Sequence, residues 1–210
     1  MGKIKSGLFG QLSGRVGNVI YSSWRGTQVV KKLPAPRQTG PSPAQLEQQT
    51  KFRLLMNFFK PLTPVLNKAF EKSNLRMTGL NKAVSNNKDR LTGRYPDIRI
   101  DYAEVILCKD ILQKADVITV TAGSEGKLNF KVDKNVLYDM RGPSALFFIA
   151  AYEEELNRWI YKMNPVLSDD YTCELDLSPF HSKSVHTYAG IMPSYGRCTT
   201  SLYTGIITVP

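Results

Sequence analysis

The sequence predicts an α+β protein: an extended arm with a β-ribbon, then short helices, then an all-β, immunoglobulin-like sandwich. Three observations lead there. Glycine and β-branched residues crowd the first forty positions, helical periodicity follows a proline-rich stretch, and short alternating segments punctuated by turn residues fill everything after about residue 94. The expected divisions are 1–41, a basic arm with a ribbon; 42–93, a basic helical segment; and 94–210, a sandwich domain.

The arm comes first. Gly2, Gly7, Gly10, Gly14, Gly17, Gly26 and Gly40 argue against a long helix, because each interior glycine costs about 1 kcal/mol relative to alanine. Two β-rich segments, 16–24 and 27–33, flank Arg25-Gly26 and read as a hairpin. A two-stranded ribbon is marginal alone in water, so this one is expected to lie on another domain or subunit through Val19, Tyr21, Trp24 and Val29. Four prolines between Leu33 and Pro43 then form an extended connector.

Ser42, Pro43 and Gln45 have the spacing of a capped helix start. Leu55, Phe58, Phe59 and Leu62 recur at helical spacing, broadened by Leu46, Phe52 and Leu54, and Pro61 and Pro64 should interrupt the helix near Phe59 or Lys60. A second helix restarts at Pro64, and a third, polar one covers 80–91. Their exposed cations are Lys68, Lys72, Lys82, Lys88 and Arg90.

Strands are expected at 98–100, 105–108, 117–121, 127–132, 145–152, 158–163, 171–177, 185–192 and 199–209. Turn signals lie at 123–126, 141–143, 164–165, 178–179 and 195–196. Glu153-Glu154-Glu155 marks a hairpin tip. This density of short strands fits a sandwich better than βαβ units.

Charge divides the chain. Residues 1–94 carry 17 Lys and Arg against three acids, whereas residues 95–210 carry 11 against 15. Such asymmetry points to a polyanionic partner for the basic half. Lys3, Lys5, Arg15, Arg25, Lys31, Lys32 and Arg37 are the candidate nucleic-acid contacts, interleaved with Phe9, Tyr21 and Trp24. Cations release counterions from phosphates, and aromatic faces can stack on bases. The competing reading is a solubilising charged surface, with the aromatics packed on a neighbouring domain, and for the aromatics that packing is preferred.

Catalytic chemistry is not visible. The series Gly7, Gly10, Gly14, Gly17 lacks the Lys-Ser/Thr of a phosphate loop and the strand–glycine–helix order of a dinucleotide site. His181 and His186 form no metal spacing, and His186 is expected on the strand face opposite Val185. Asp97, Asp101, Glu104, Asp169 and Asp170 sit beside turns, where carboxylates cap backbone. Cys108, Cys173 and Cys198 are odd in number and widely spaced, and read as buried apolar residues. The expectation is therefore no enzyme, no cofactor, no metal and no small-molecule substrate. No apolar run reaches the roughly 18 residues of a membrane span or forms a secretory signal, so cytoplasmic synthesis is expected.

The run from Gly7 to Gly26, with Gly14-Arg-Val-Gly-Asn-Val19 and Ser23-Trp-Arg-Gly26, together with Gln48-Gln-Thr-Lys-Phe-Arg53, Phe58-Phe-Lys-Pro-Leu62, Val185-His-Thr-Tyr-Ala-Gly-Ile191 and residues 200–209, resembles a bacterial family classed as a domain of unknown function. The resemblance implies no activity. It does imply that the N-terminal motif is one recurring element. These features suggest a self-assembling structural protein, a homo-oligomer of the phage or virion-like particle kind with a basic surface toward nucleic acid. The alternatives are a monomeric or dimeric nucleic-acid-binding protein and a β-sandwich adhesion module.

Overall fold

The computed structural model describes residues 2–4, 13–24, 26–36, 39–70, 77–108, 110–111, 118–133, 146–164, 170–192 and 200–210. Lys5, Phe9, Arg25, Arg37, Lys72, Asp169 and Cys198 lie outside these, as do Gly7, Gly10 and the turn signals at 141–143 and 195–196. The protein is α+β with a sheet-rich body, and it divides into two compact units, Met1–Ser42 and Pro43–Pro210.

The first unit is a four-stranded antiparallel sheet in the order β1-β4-β3-β2, from β1 (Gly2–Ile4), β2 (Gly14–Val16), β3 (Val19–Trp24) and β4 (Thr27–Lys32). The expected hairpin is its centre, β3 against β4. The two further strands extend the expected ribbon. Gly17-Asn18 turns β2 into β3, with Gly17 at φ +57°, the glycine-first pattern of a tight hairpin turn.

The second unit begins with α1 (Pro43–Phe59), which starts at the expected residue. Proline then acts where expected: α1 ends at Phe59, a 3-10 turn spans Lys60–Leu62, and α2 (Thr63–Ala69) follows. Leu55, Phe58, Phe59 and Leu62 are buried, but Phe52 is 56% exposed. Leu54 packs against the same cluster and Leu46 is half-buried, so of the broadened stripe Phe52 alone faces away.

The third helix, α3 (Gly79–Asn87), is shorter than the expected 80–91. Thr78 caps it, its hydroxyl accepting from the Asn81 N–H at 3.2 Å. Gly79 lies so close to α2 that a Cβ there would sit 2.2 Å from the Leu66 carbonyl oxygen. Leu91 belongs instead to a hairpin, β5 (Leu91–Arg94) with β6 (Asp97–Ile100).

Residues 105–108, expected as a strand, are irregular. Side chains supply what a ladder would have supplied. Buried Asn87 accepts from the Ile106 N–H and donates to the Ile106 carbonyl, each at 2.8 Å, and the Ser201 hydroxyl accepts from the Leu107 N–H at 3.2 Å. Buried backbone groups need partners, and here Asn87 and Ser201 supply them for Ile106 and Leu107 without a strand.

The body's main sheet has the order β11-β10-β13-β14-β7. Its members are β7 (Asp110–Ile111), β10 (Leu146–Glu153), β11 (Arg158–Met163), β13 (Ser184–Met192) and β14 (Thr200–Thr208). A three-stranded sheet, β12-β9-β8, comprises β8 (Ile118–Ala122), β9 (Lys127–Val132) and β12 (Thr172–Asp176).

Alternation along β10 explains how these layers stack. Phe148, Ala150 and Tyr152 share a cluster with Phe58, Leu62, Leu66 and Val84 from the helices. Phe147, Ile149 and Ala151 share another with Leu128, Phe130 and Leu175 from the small sheet. β10 is thus buried on both faces, which is why 145–152 reads as one continuous apolar run. The helices form a third layer on the sheet face that a two-layer sandwich would leave open.

The Glu153–Glu155 tip is where the sequence placed it. Buried Glu153 turns its carboxylate back on the turn, accepting from the Leu156 N–H at 2.6 Å and the Glu155 N–H at 3.3 Å. Cys108 and Cys173 are buried, as expected of small apolar residues. Burial pushes the Cys173 thiol up to about 11, against the opposing pull of Lys162, and raises Cys108 further, so both stay protonated at neutral pH.

Candidate functional site

Antiparallel partners project to the same face, so the register of the N-terminal sheet sorts its side chains. Arg15 pairs with Ile20 and Ile20 with Lys31; Ser22 pairs with Val29 and Trp24 with Thr27. These form one face. The other holds Val16 with Val19, Val19 with Lys32, Tyr21 with Val30, and Ser23 with Gln28. The first face joins Arg15 and Lys31 to Ile20, Val29 and Trp24; the second has one cation, Lys32, with Val16, Val19, Tyr21 and Val30.

The sheet therefore separates residues that the sequence grouped. Arg15 and Lys31 come together with Trp24 and Val29, while Lys32 goes with Val19 and Tyr21. Lys3 lies in β1, its backbone opposite Val29. Arg15 and Lys31 are exposed, Trp24 is 49% exposed, and Val16 on the opposite face is 69% exposed. Arg15 is oriented by its Nε–H, which donates to the Gly17 carbonyl at 3.0 Å. Among the described side chains of residues 13–42 none is buried. Gln28 Nε2, on the second face, is shielded from solvent yet has no hydrogen-bond partner.

Residues 1–42 contain seven Lys and Arg and no Asp or Glu, whereas residues 43–210 contain 21 against 18. Most of the net charge of +10 thus resides in one fifth of the chain.

A second constellation lies in the body and was not legible beforehand. Across the helix-facing side of the main sheet, Trp159, Tyr152, His186 and Ile206 occupy one register row, and Tyr188 and Tyr203 occupy the next. Tyr102, from a 3-10 turn at Tyr102–Glu104, lays its ring on His186 with centroids 4.2 Å apart and on Tyr152 at 5.4 Å. Phe58 meets Trp159 edge-on at 5.0 Å, and the Trp159 Nε1–H donates to the Phe58 carbonyl at 2.8 Å. The Tyr188 hydroxyl donates to the Tyr102 carbonyl at 2.9 Å, and His186 Nδ1 meets the Tyr203 hydroxyl at 2.9 Å.

Burial raises the hydroxyls of Tyr102, Tyr152, Tyr188 and Tyr203 above the ordinary phenol range, and for Tyr102 the neighbouring Tyr152 and Glu154 add to this. Burial lowers His186, with Glu154 opposing, so the imidazole is neutral at pH 7. The cluster is then three protonated phenols, of Tyr102, Tyr152 and Tyr203, around a neutral imidazole, with Tyr188 packed on Tyr203 and Trp159. That arrangement docks helices on sheet. His186 faces opposite buried Val185, as alternation required; nothing in the sequence marked Tyr102 as its stacking partner.

The body's surface also carries pockets. One, of about 400 Å³, lies beside Arg90, whose Nη1 bonds both the carboxylate and the carbonyl of Glu104 at 2.7 and 2.8 Å. Another, of about 420 Å³, opens beside β11 and β12, with Lys127 bridged to Glu174 at 3.3 Å. Among the described residues no three His, Cys, Asp or Glu side chains converge to hold a metal ion, and no helix is long and apolar enough to cross a membrane.

No curated protein and no solved structure matches this chain. A family model does, and its match crosses the division between the two units, taking in β2, β3 and β4 with nearly all of the body. The chain belongs to the family of unknown function DUF6266, matched over residues 10–205.

Proposed function

We propose that this protein is a non-enzymatic structural subunit that assembles with copies of itself, its N-terminal sheet facing nucleic acid, as in a virion-like particle. The observation that carries the reading is the contrast inside one amphipathic sheet. It has one face with Arg15 and Lys31, a more apolar face with Lys32 alone, no acid in the 42 residues of its unit and no buried side chain among those described from 13 to 42. A sheet of this kind gains stability by covering its apolar face, and the charge is compensated when a polyphosphate meets the other. A mutual packing of apolar faces from two copies would leave both cationic faces outward. The sheets around the second cluster of the body support an immunoglobulin-like sandwich, with helices added as a third layer, a rigid unit suited to repetition.

A monomeric or dimeric nucleic-acid-binding protein is the second reading, favoured by the absence of acids in the first unit. Mass photometry and electron microscopy of the full chain, with and without nucleic acid, distinguish the two. Concentration-dependent oligomers or closed particles are expected. A strict monomer at every concentration, alone or with nucleic acid, overturns assembly.

A further inference from the structure

We infer that the sheet face carrying Arg15, Ile20, Lys31 and Trp24 binds single-stranded nucleic acid, with phosphates on the two cations and a base stacked on the indole. This rests on the nucleic-acid-facing role proposed above and narrows it to one form of the polymer.

The register places Arg15 and Lys31 on either side of Ile20 in a single row across β2, β3 and β4. Trp24 lies four residues along the same face, about 13 Å away at ordinary strand rise. A backbone crossing the cationic row can therefore continue along β3 to the indole. Trp24 shares this face with Ser22 and with its cross-strand partner Thr27, and the residue is 49% exposed. The Gly17 carbonyl fixes Arg15 Nε and leaves the two Nη groups for a phosphate.

Sheet width decides between strand forms. Four strands span about 14 Å between their outer axes before side chains are added. The duplex major groove, about 12 Å wide, admits a helix or a two-stranded ribbon. A sheet of this width does not enter it, whereas unpaired bases lie on a sheet surface and stack on its aromatics. With no acidic side chain in the whole unit, nothing on it repels the phosphates.

The chain's two tryptophans make the test direct. Trp159 is buried and hydrogen-bonded in the body, so a ligand-dependent change in indole fluorescence reports Trp24. The full chain is titrated with an oligo(dT) strand and with a duplex of equal length. Oligo(dT) should quench the fluorescence and bind more tightly than the duplex. Trp24→Ala should weaken it by about 5- to 150-fold, the equivalent of one stacked base, with the salt dependence unchanged. Trp24→Phe, which keeps a ring at that position, should retain most of the affinity. Arg15→Ala with Lys31→Ala should flatten the salt slope by about 0.7 per lost contact. Equal affinity for duplex and single strand with unchanged fluorescence overturns the inference and leaves the nucleic-acid-facing role standing. Failure to bind either polymer overturns both.

Discussion

β10 of the body and β3 of the N-terminal sheet are both interior antiparallel strands that carry aromatic residues. From Phe147 to Glu153 every side chain of β10 is buried, alternately against helices and against a second sheet. In β3 no side chain is buried. Composition differs too, since β3 carries Ser22 and Ser23 where β10 is apolar from Leu146 to Tyr152. In the N-terminal unit the described side chains are at most half-buried, and that unit is also the one without acids.

The contrast can be broken most severely from the body side. Phe148→Ala, on a fully buried ring, should cost about 3–5 kcal/mol, read as a drop in the urea midpoint. Val30→Ala on the half-buried face of the N-terminal sheet should cost under about 1 kcal/mol in the dilute chain. Equal losses would mean that the two sheets are equally well covered.

Next comes the irregular segment. Asn87→Ala strands the Ile106 N–H and carbonyl, which should cost about 2–3 kcal/mol in the same unfolding assay. A neutral outcome would show that this segment does not depend on its side-chain ladder.

A subtler effect follows acidification. His186 has a folded pKa below its ordinary 6.5, so below pH 6.5 the unfolded chain takes up the proton first and stability falls until the folded imidazole also titrates. His186→Gln should remove that component of a melting-temperature profile between pH 7.5 and 5. An unchanged profile would assign the pH response to other groups. The smallest change is Glu174→Ala, which breaks an exposed bridge to Lys127 and should cost less than about 1 kcal/mol.

Much of the fold was readable because local signals agreed with tertiary ones. Pro43, Pro61 and Pro64 set the helix boundaries through chemistry that no packing overrides, and β11 spans the expected residues 158–163. Residues 105–108 misled because Val105, Leu107 and Cys108 are as apolar as a strand while their hydrogen bonds go to Asn87 and Ser201, distant in sequence. Leu91 ended as a strand because its partner, Ile100, lies beyond a turn that the helical pattern could not anticipate. For the candidate site, composition revealed the cations but not their sorting. Arg15 with Lys31 and Lys32 with Tyr21 follows from strand register, which depends on β2, a three-residue strand with little pattern of its own.

Hydrogen–deuterium exchange of the full chain tests the central claim most directly, by comparing amides of residues 19–32 with those of 146–153 in dilute protein and then in concentrated protein with oligo(dT). The account predicts fast exchange in the N-terminal sheet and slow exchange in β10 when dilute, with the sheet gaining protection on assembly and binding. Sheet amides as slow as those of β10 in the dilute chain, unchanged by concentration or nucleic acid, would contradict it.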